Sequence, residues 1–135
     1  MTTNITIIGL DLGYGDSKAV CSSGRRVRFP SLVAPAEFIR FRADVGRQAP
    51  VNGVKLCSAD EGDLFIGELA ARQGRPGAVR SPRDRDRVGD PIVTHLTDAA
   101  FALLLPEVEY ARVKVVTGLP VDYYRDAEAL AFHLR

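Results

Sequence analysis

The stretch Ile7-Ile8-Gly9-Leu10-Asp11-Leu12-Gly13-Tyr14-Gly15-Asp16-Ser17-Lys18-Ala19-Val20 joins two apolar segments through a cluster of turn-forming residues. Ile5 to Leu12 is β-branched and almost continuously apolar, the pattern of a strand covered on both faces. Gly13 to Ser17 reads as a turn, and Lys18 to Ser22 as a second short strand that meets another turn at Ser23-Gly24. Arg25 to Phe29 alternates polar and apolar residues, as a half-buried third strand does, and Pro30 ends it. The opening is an expected antiparallel β-meander whose first turn is rich in glycine.

Beyond it, residues 31–75 are less regular. Val51 to Leu56 and Leu64 to Ile66 read as short strands, and Gly67 to Arg72 as a short helix closed by Gly74. Arg75 to Gly89 carries prolines, glycines and alternating charges and is expected to be a surface loop. Asp90-Pro91 has the form of a helix start, with Asp as N-cap and Pro at the first helical position. Ile92, Leu96, Ala99 and Leu103 then recur at helical spacing up to Pro106. Arg112 to Thr117 predicts a strand ending in Gly118-Leu119-Pro120. A last helix is expected from about Asp122, with Ala127, Leu130, Ala131 and Leu134 on one face. The order β-β-β, mixed insertion, α, β, α places the chain in the α/β class.

The chain has 135 residues, 46% hydrophobic and 26% charged, an ordinary globular composition expected to form one domain or a piece of a larger one. Its net charge of +1 makes no electrostatic case for nucleic acid or an anionic membrane. Two cysteines, Cys21 and Cys57, do not make a disulfide scaffold and are expected to be buried free thiols. The N-terminus lacks a basic n-region, and no run approaches the ~20 apolar residues of a membrane span. A cytoplasmic location is the expectation.

Asp11 to Lys18 has the parts of a phosphate site. Gly13 and Gly15 allow a tight turn and close approach of backbone N–H groups to anionic oxygens. Lys18 places a point charge beside them. Asp11 is suited to Mg²⁺ held through water, because that ion dehydrates reluctantly. The spacing is not a Walker A loop, which needs GxxxxGK[ST] before a helix, nor a dinucleotide fingerprint, which needs a third glycine. On spacing alone, an ordinary glycine hairpin remains open beside the phosphate loop.

The whole stretch from Ile7 to Val20 resembles the first phosphate motif of the actin-like ATPase superfamily. The likeness is greatest to plasmid-segregation proteins of the ParM/StbA type. Leu64 to Ala70 is similar to the family's hydrophobic–Gly–Glu–x–Ala segment, and Val115 to Tyr124 to its GLP…YY turn. The charged loop before Asp90 is similar in position. The resemblance implies a ribonuclease-H-like fold, with residues 1–135 as an N-terminal domain of subdomain I type and residues from about 31 to 75 as a variable insertion. It implies ATP and Mg²⁺ as cofactors. Asp11 would organise the hydrated Mg²⁺, Gly13, Tyr14, Gly15, Asp16 and Ser17 would form the phosphate loop, and Lys18 would neutralise the β/γ-phosphates. Hydrolysis in the family is attack of polarised water on the γ-phosphate.

The implied function is that of the nucleotide-binding N-terminal half of a filament-forming ATPase in plasmid or DNA segregation. Its implied partners are like protomers and a DNA-bound adaptor, with no direct nucleic-acid contact and no membrane. The family's second phosphate loop, adenosine-binding segment and water-polarising residue have no counterpart here, so a truncated chain without hydrolysis of its own is expected. The alternative is a non-catalytic module that adds to or caps a filament of full-length partners. A sugar-kinase-like or chaperone-like ATPase is disfavoured by the GLP…YY segment.

Other residues have plainer expectations. Gly118-Leu119-Pro120 reads as a packing turn, and Tyr123 and Tyr124 as packing residues. Arg80, Arg83, Arg85 and Arg87, with Asp84 and Asp86 interleaved, read as a self-neutralised loop. His95 and His133 have no carboxylate or nucleophile at a telling spacing and are expected to be structural.

Overall fold

The computed structural model describes residues 5–36, 53–82, 89–108, 111–118 and 125–135, the His133 side chain excepted. The meander forms as expected, with β1 over Thr6–Leu12, β2 over Asp16–Cys21 and β3 over Arg26–Pro30. Three further strands follow, β4 over Val33–Pro35, β5 over Gly53–Ser58 and β6 over Gly62–Gly67, and then the short helix α1 over Glu68–Gln73. Helix α2 spans Pro91–Leu104, β7 spans Val113–Thr117, and α3 spans Ala127–His133.

The strands make two sheets. The larger has the order β3-β2-β1-β7, with β7 parallel to β1 and the other pairs antiparallel. The smaller, β4-β6-β5, is antiparallel throughout. It is built within the region expected to be irregular. The strand at Val33–Pro35 had no periodicity to announce it, since three residues are too few to show alternation.

Helix α2 fastens the two sheets together. Asp90 caps it, its Oδ1 accepting from the Ile92 N–H at 2.9 Å, and Pro91 opens it. Ile92, Leu96, Ala99, Ala100 and Leu104 bury against Ile8, Leu10, Ala19, Cys21 and Phe29 of the large sheet and Val33, Leu64 and Ile66 of the small one. The stripe runs into Leu104 as well as the half-buried Leu103.

Double coverage falls on a different strand from the one expected. In β6, Leu64 and Ile66 face the main core while Phe65 packs with Ala34 and Ala70 under α1. Gly67, at φ +71°, makes the turn from β6 into α1, a left-handed conformation that glycine adopts without a Cβ clash. In β1, Ile8 and Leu10 are buried, but Ile7 is 47% exposed. Val20 and Val116, on the same outer face, are 43% and 59% exposed. Among the described residues, both α2 and α3 lie on the inner side of the large sheet, so its outer side is open. Cys21 is buried as expected; Cys57 is exposed, because its alternation along β5 points it away from α2.

Val51 and Arg83 to Arg87 lie outside the described residues, as do the Leu119-Pro120 turn, the expected helix start near Asp122, Tyr123 and Tyr124. Among the described residues no helix is long and apolar enough to cross a membrane.

Candidate functional site

The β1–β2 hairpin carries the candidate site. Register pairs Asp11 with Lys18 and Leu12 with Ser17, and the β2–β3 register pairs Lys18 with Arg28. Side chains alternate along a strand, so Asp11, Lys18 and Arg28 form one row across the outer face. Directly opposed residues of antiparallel strands hold their Cβ atoms about 5 Å apart. Asp11 and Lys18 are both exposed, and among the described residues neither is in an ion pair. Two opposite charges thus stand side by side on neighbouring strands.

An open groove of about 790 Å³ runs over this row, lined by Gly9, Asp11, Lys18, Val20, Arg26 and Arg28 among others. Arg26 and Arg28 were not singled out by sequence. Their alternation in Arg26-Val27-Arg28-Phe29 signals one common face, but the register decides that this face is Lys18's.

The turn itself is held tightly. The Gly13 N–H donates to the Asp16 carbonyl at 3.0 Å. A Cβ on Gly13 would lie 2.5 Å from that oxygen, so glycine is required there by close approach, with φ not positive. At Gly15 the same Cβ would meet nothing within 4 Å. Tyr14, between them, is exposed. The Asp16 carboxylate Oδ2 accepts from Arg28 Nε at 2.9 Å and Nη2 at 2.5 Å, which removes a negative charge from the loop.

Ser17 points the other way. Its side chain is fully buried on the inner face, 2.9 Å from the Oγ of Ser31. The structure therefore brings Asp11 and Lys18 together on the outer face, with the Gly13–Asp16 turn at its end, and places the Ser17 hydroxyl beneath. Among the described residues no three or more His, Cys, Asp or Glu side chains are placed to share a metal ion. Asp11 contributes a single exposed carboxylate beside the open groove.

A second polar cluster joins the small sheet to α2. His95 Nε2 lies 2.6 Å from Glu61 Oε2, and Arg80 Nη1 lies 3.1 Å from Glu61 Oε1. His95 thus has the carboxylate partner that sequence spacing did not reveal, since it comes from a turn 34 residues away. Arg80 hydrogen bonding, together with His95, holds the Glu61 carboxyl below its usual range. Asp98, one turn along α2, is exposed, and partial desolvation against the helix pushes its carboxyl upward against the opposing influence of His95. The geometry of the cluster is that of a tie between elements.

Several solved structures share the fold. The pCBH ParM non-polymerisable quadruple mutant is 29% identical, with TM-score 0.73 over 97% of this chain and 38% of that one. A 15-stranded ParM filament from Clostridium botulinum is 27% identical, with TM-score 0.77 over 97% and 39%. Ta0583, an archaeal actin homolog solved in complex with ADP, is 20% identical with TM-score 0.66 over 96% and 35%, a likeness of fold alone. The chain therefore spans somewhat over a third of the length of these structures. No curated protein matches it. The meander, the crossover through α2 to a parallel β7 and the glycine hairpin at its head agree with a family match over residues 9–135, and the chain belongs to the family of the actin-like proteins N-terminal domain.

Proposed function

We propose that this chain is the ATP-binding N-terminal part of a filament-forming, ParM-type actin-like protein that acts in plasmid or DNA segregation. The observation that carries the nucleotide reading is the Asp11–Lys18 pair, opposed on neighbouring strands beside the Gly13–Asp16 turn and free of ion pairs among the described residues. Lys18 supplies positive charge to phosphate oxygens, and the turn supplies backbone N–H groups. Asp11 would hold Mg²⁺ through its water shell, where the bound ion would supply positive charge to a polyphosphate. The site is a half-site in extent, so hydrolysis is assigned to the whole actin-like protein. Self-association is supported by the ParM filament among the similar structures. A DNA-bound adaptor is the partner the segregation role calls for, and a cytoplasmic location accords with it.

Calorimetric titration of Mg·ATP into the chain, with Asp11→Ala and Lys18→Ala alongside, tests the site. Binding in the wild type that weakens in both variants supports it; equal affinity in all three overturns it. A second reading, a module that adds to a filament of longer partners without hydrolysis, is favoured by exposed Ile7, Val20 and Val116 on the outer sheet face. Co-sedimentation with such filaments in the absence of nucleotide binding would select it.

A further inference from the structure

Ser31 lies just past the end of β3 and is fully buried. Its Oγ donates to the Gly13 carbonyl at 2.7 Å, and its N–H donates to the Gly15 carbonyl at 2.8 Å. One residue therefore grips two of the carbonyls of the candidate phosphate loop. A carbonyl cannot donate, so the single hydroxyl proton of Ser31 is committed to Gly13. The 2.9 Å contact between the two serine oxygens must then be Ser17 donating to Ser31. The result is a directed chain, Ser17 to Ser31 to Gly13, in which each bond polarises the next.

This grip determines where the loop's donors point. There are no cis peptides among the described residues, and in a trans peptide the C=O and the following N–H are opposed. Holding both carbonyls therefore fixes the planes of the peptides that join Gly13 to Tyr14 and Gly15 to Asp16. We infer that Ser31 is a positioning residue for anion binding: it holds alternate peptides of the loop in the one conformation that a polyphosphate beside Lys18 would meet. The inference rests on the phosphate-site reading above and assigns to Ser31, which would not itself touch the ligand, the preorganisation of that site.

Ser31→Ala and Ser17→Ala separate this role from a merely structural one. Each removes one buried hydroxyl from the same chain, and a structural role makes the two variants alike. Only Ser31→Ala releases the Gly13 carbonyl. The chain is titrated with Mg·ATP, and the amide resonances of residues 13–16 are compared in the ligand-free state. The expected result is that Ser31→Ala shifts those resonances and weakens binding about tenfold, whereas Ser17→Ala weakens it less than about threefold. Should Ser31→Ala fail to fold, Ser31→Cys, close in volume and a far weaker donor, takes its place with the same expectation. Wild-type affinity in the Ser31 variant overturns the inference and leaves the phosphate site standing. Absence of binding in the wild type overturns the phosphate site, and unshifted loop amides in the ligand-free Ser31 variant overturn the grip itself.

Discussion

His95 of α2 and Glu61 of the β5–β6 turn meet at 2.6 Å, and the same carboxylate is held by Arg80. Arg80 is itself bridged to Val33 of β4, so three parts of the small sheet and its surroundings converge on one helix side chain. The contact is the polar counterpart of the apolar seam between α2 and the two sheets.

Glu61→Gln should lower unfolding free energy by about 1 kcal/mol at neutral pH, a figure kept small because the carboxylate is partly exposed. The pH dependence has a definite sign. A carboxyl lowered in the folded state from its ordinary 4.5 stabilises above that value, and the contribution is lost as pH falls through the lower folded value. Urea denaturation from pH 7 down to pH 3 should therefore show a shallower acid loss in Glu61→Gln. Identical slopes would remove the Arg80–Glu61 pair from the stability of the fold.

The two glycines of the hairpin should respond differently to one methyl group. Gly13→Ala forces a Cβ to 2.5 Å from the Asp16 carbonyl and should cost about 1–3 kcal/mol. Gly15→Ala meets open space and should stay within about 0.5 kcal/mol. Denaturation of both variants measures the contrast, and equal losses would contradict the turn geometry.

Asp90→Ala deletes the acceptor for the Ile92 N–H and should destabilise the chain by about 1 kcal/mol. Asp90→Ser restores an acceptor at the N-cap and should recover most of it. Thermal denaturation followed by circular dichroism distinguishes them.

Arg28→Ala removes an ion pair whose arginine side chain is 70% exposed, so its effect on stability should be under about 1 kcal/mol and should shrink in high salt. A larger, salt-independent loss would mean that Arg28 packs as well as pairs.

Ile7→Thr and Val116→Thr alter outward-facing positions and should leave folding cooperativity intact while reducing concentration-dependent light scattering. Unchanged scattering would exclude the outer face from self-association.

The apolar run of β1, the glycine turn, the alternation of β3 and the Asp90-Pro91 cap are local signals. Each depends on residues close in sequence, so the meander, α2 and the loop from Gly13 to Lys18 were legible without coordinates. The small sheet was less so, because three-residue β4 is too short to show a period. What only the tertiary structure decided is pairing. Register set Asp11 beside Lys18 and Arg28 beside Lys18; a shift of one residue would have turned each to the opposite face. Packing left β1 open on one side and gave double coverage to β6. Folding brought Ser31 under Gly13, 18 positions away, and Glu61 to His95, 34 positions away, because a hydrogen bond is selected by distance in space and leaves no spacing rule in the chain.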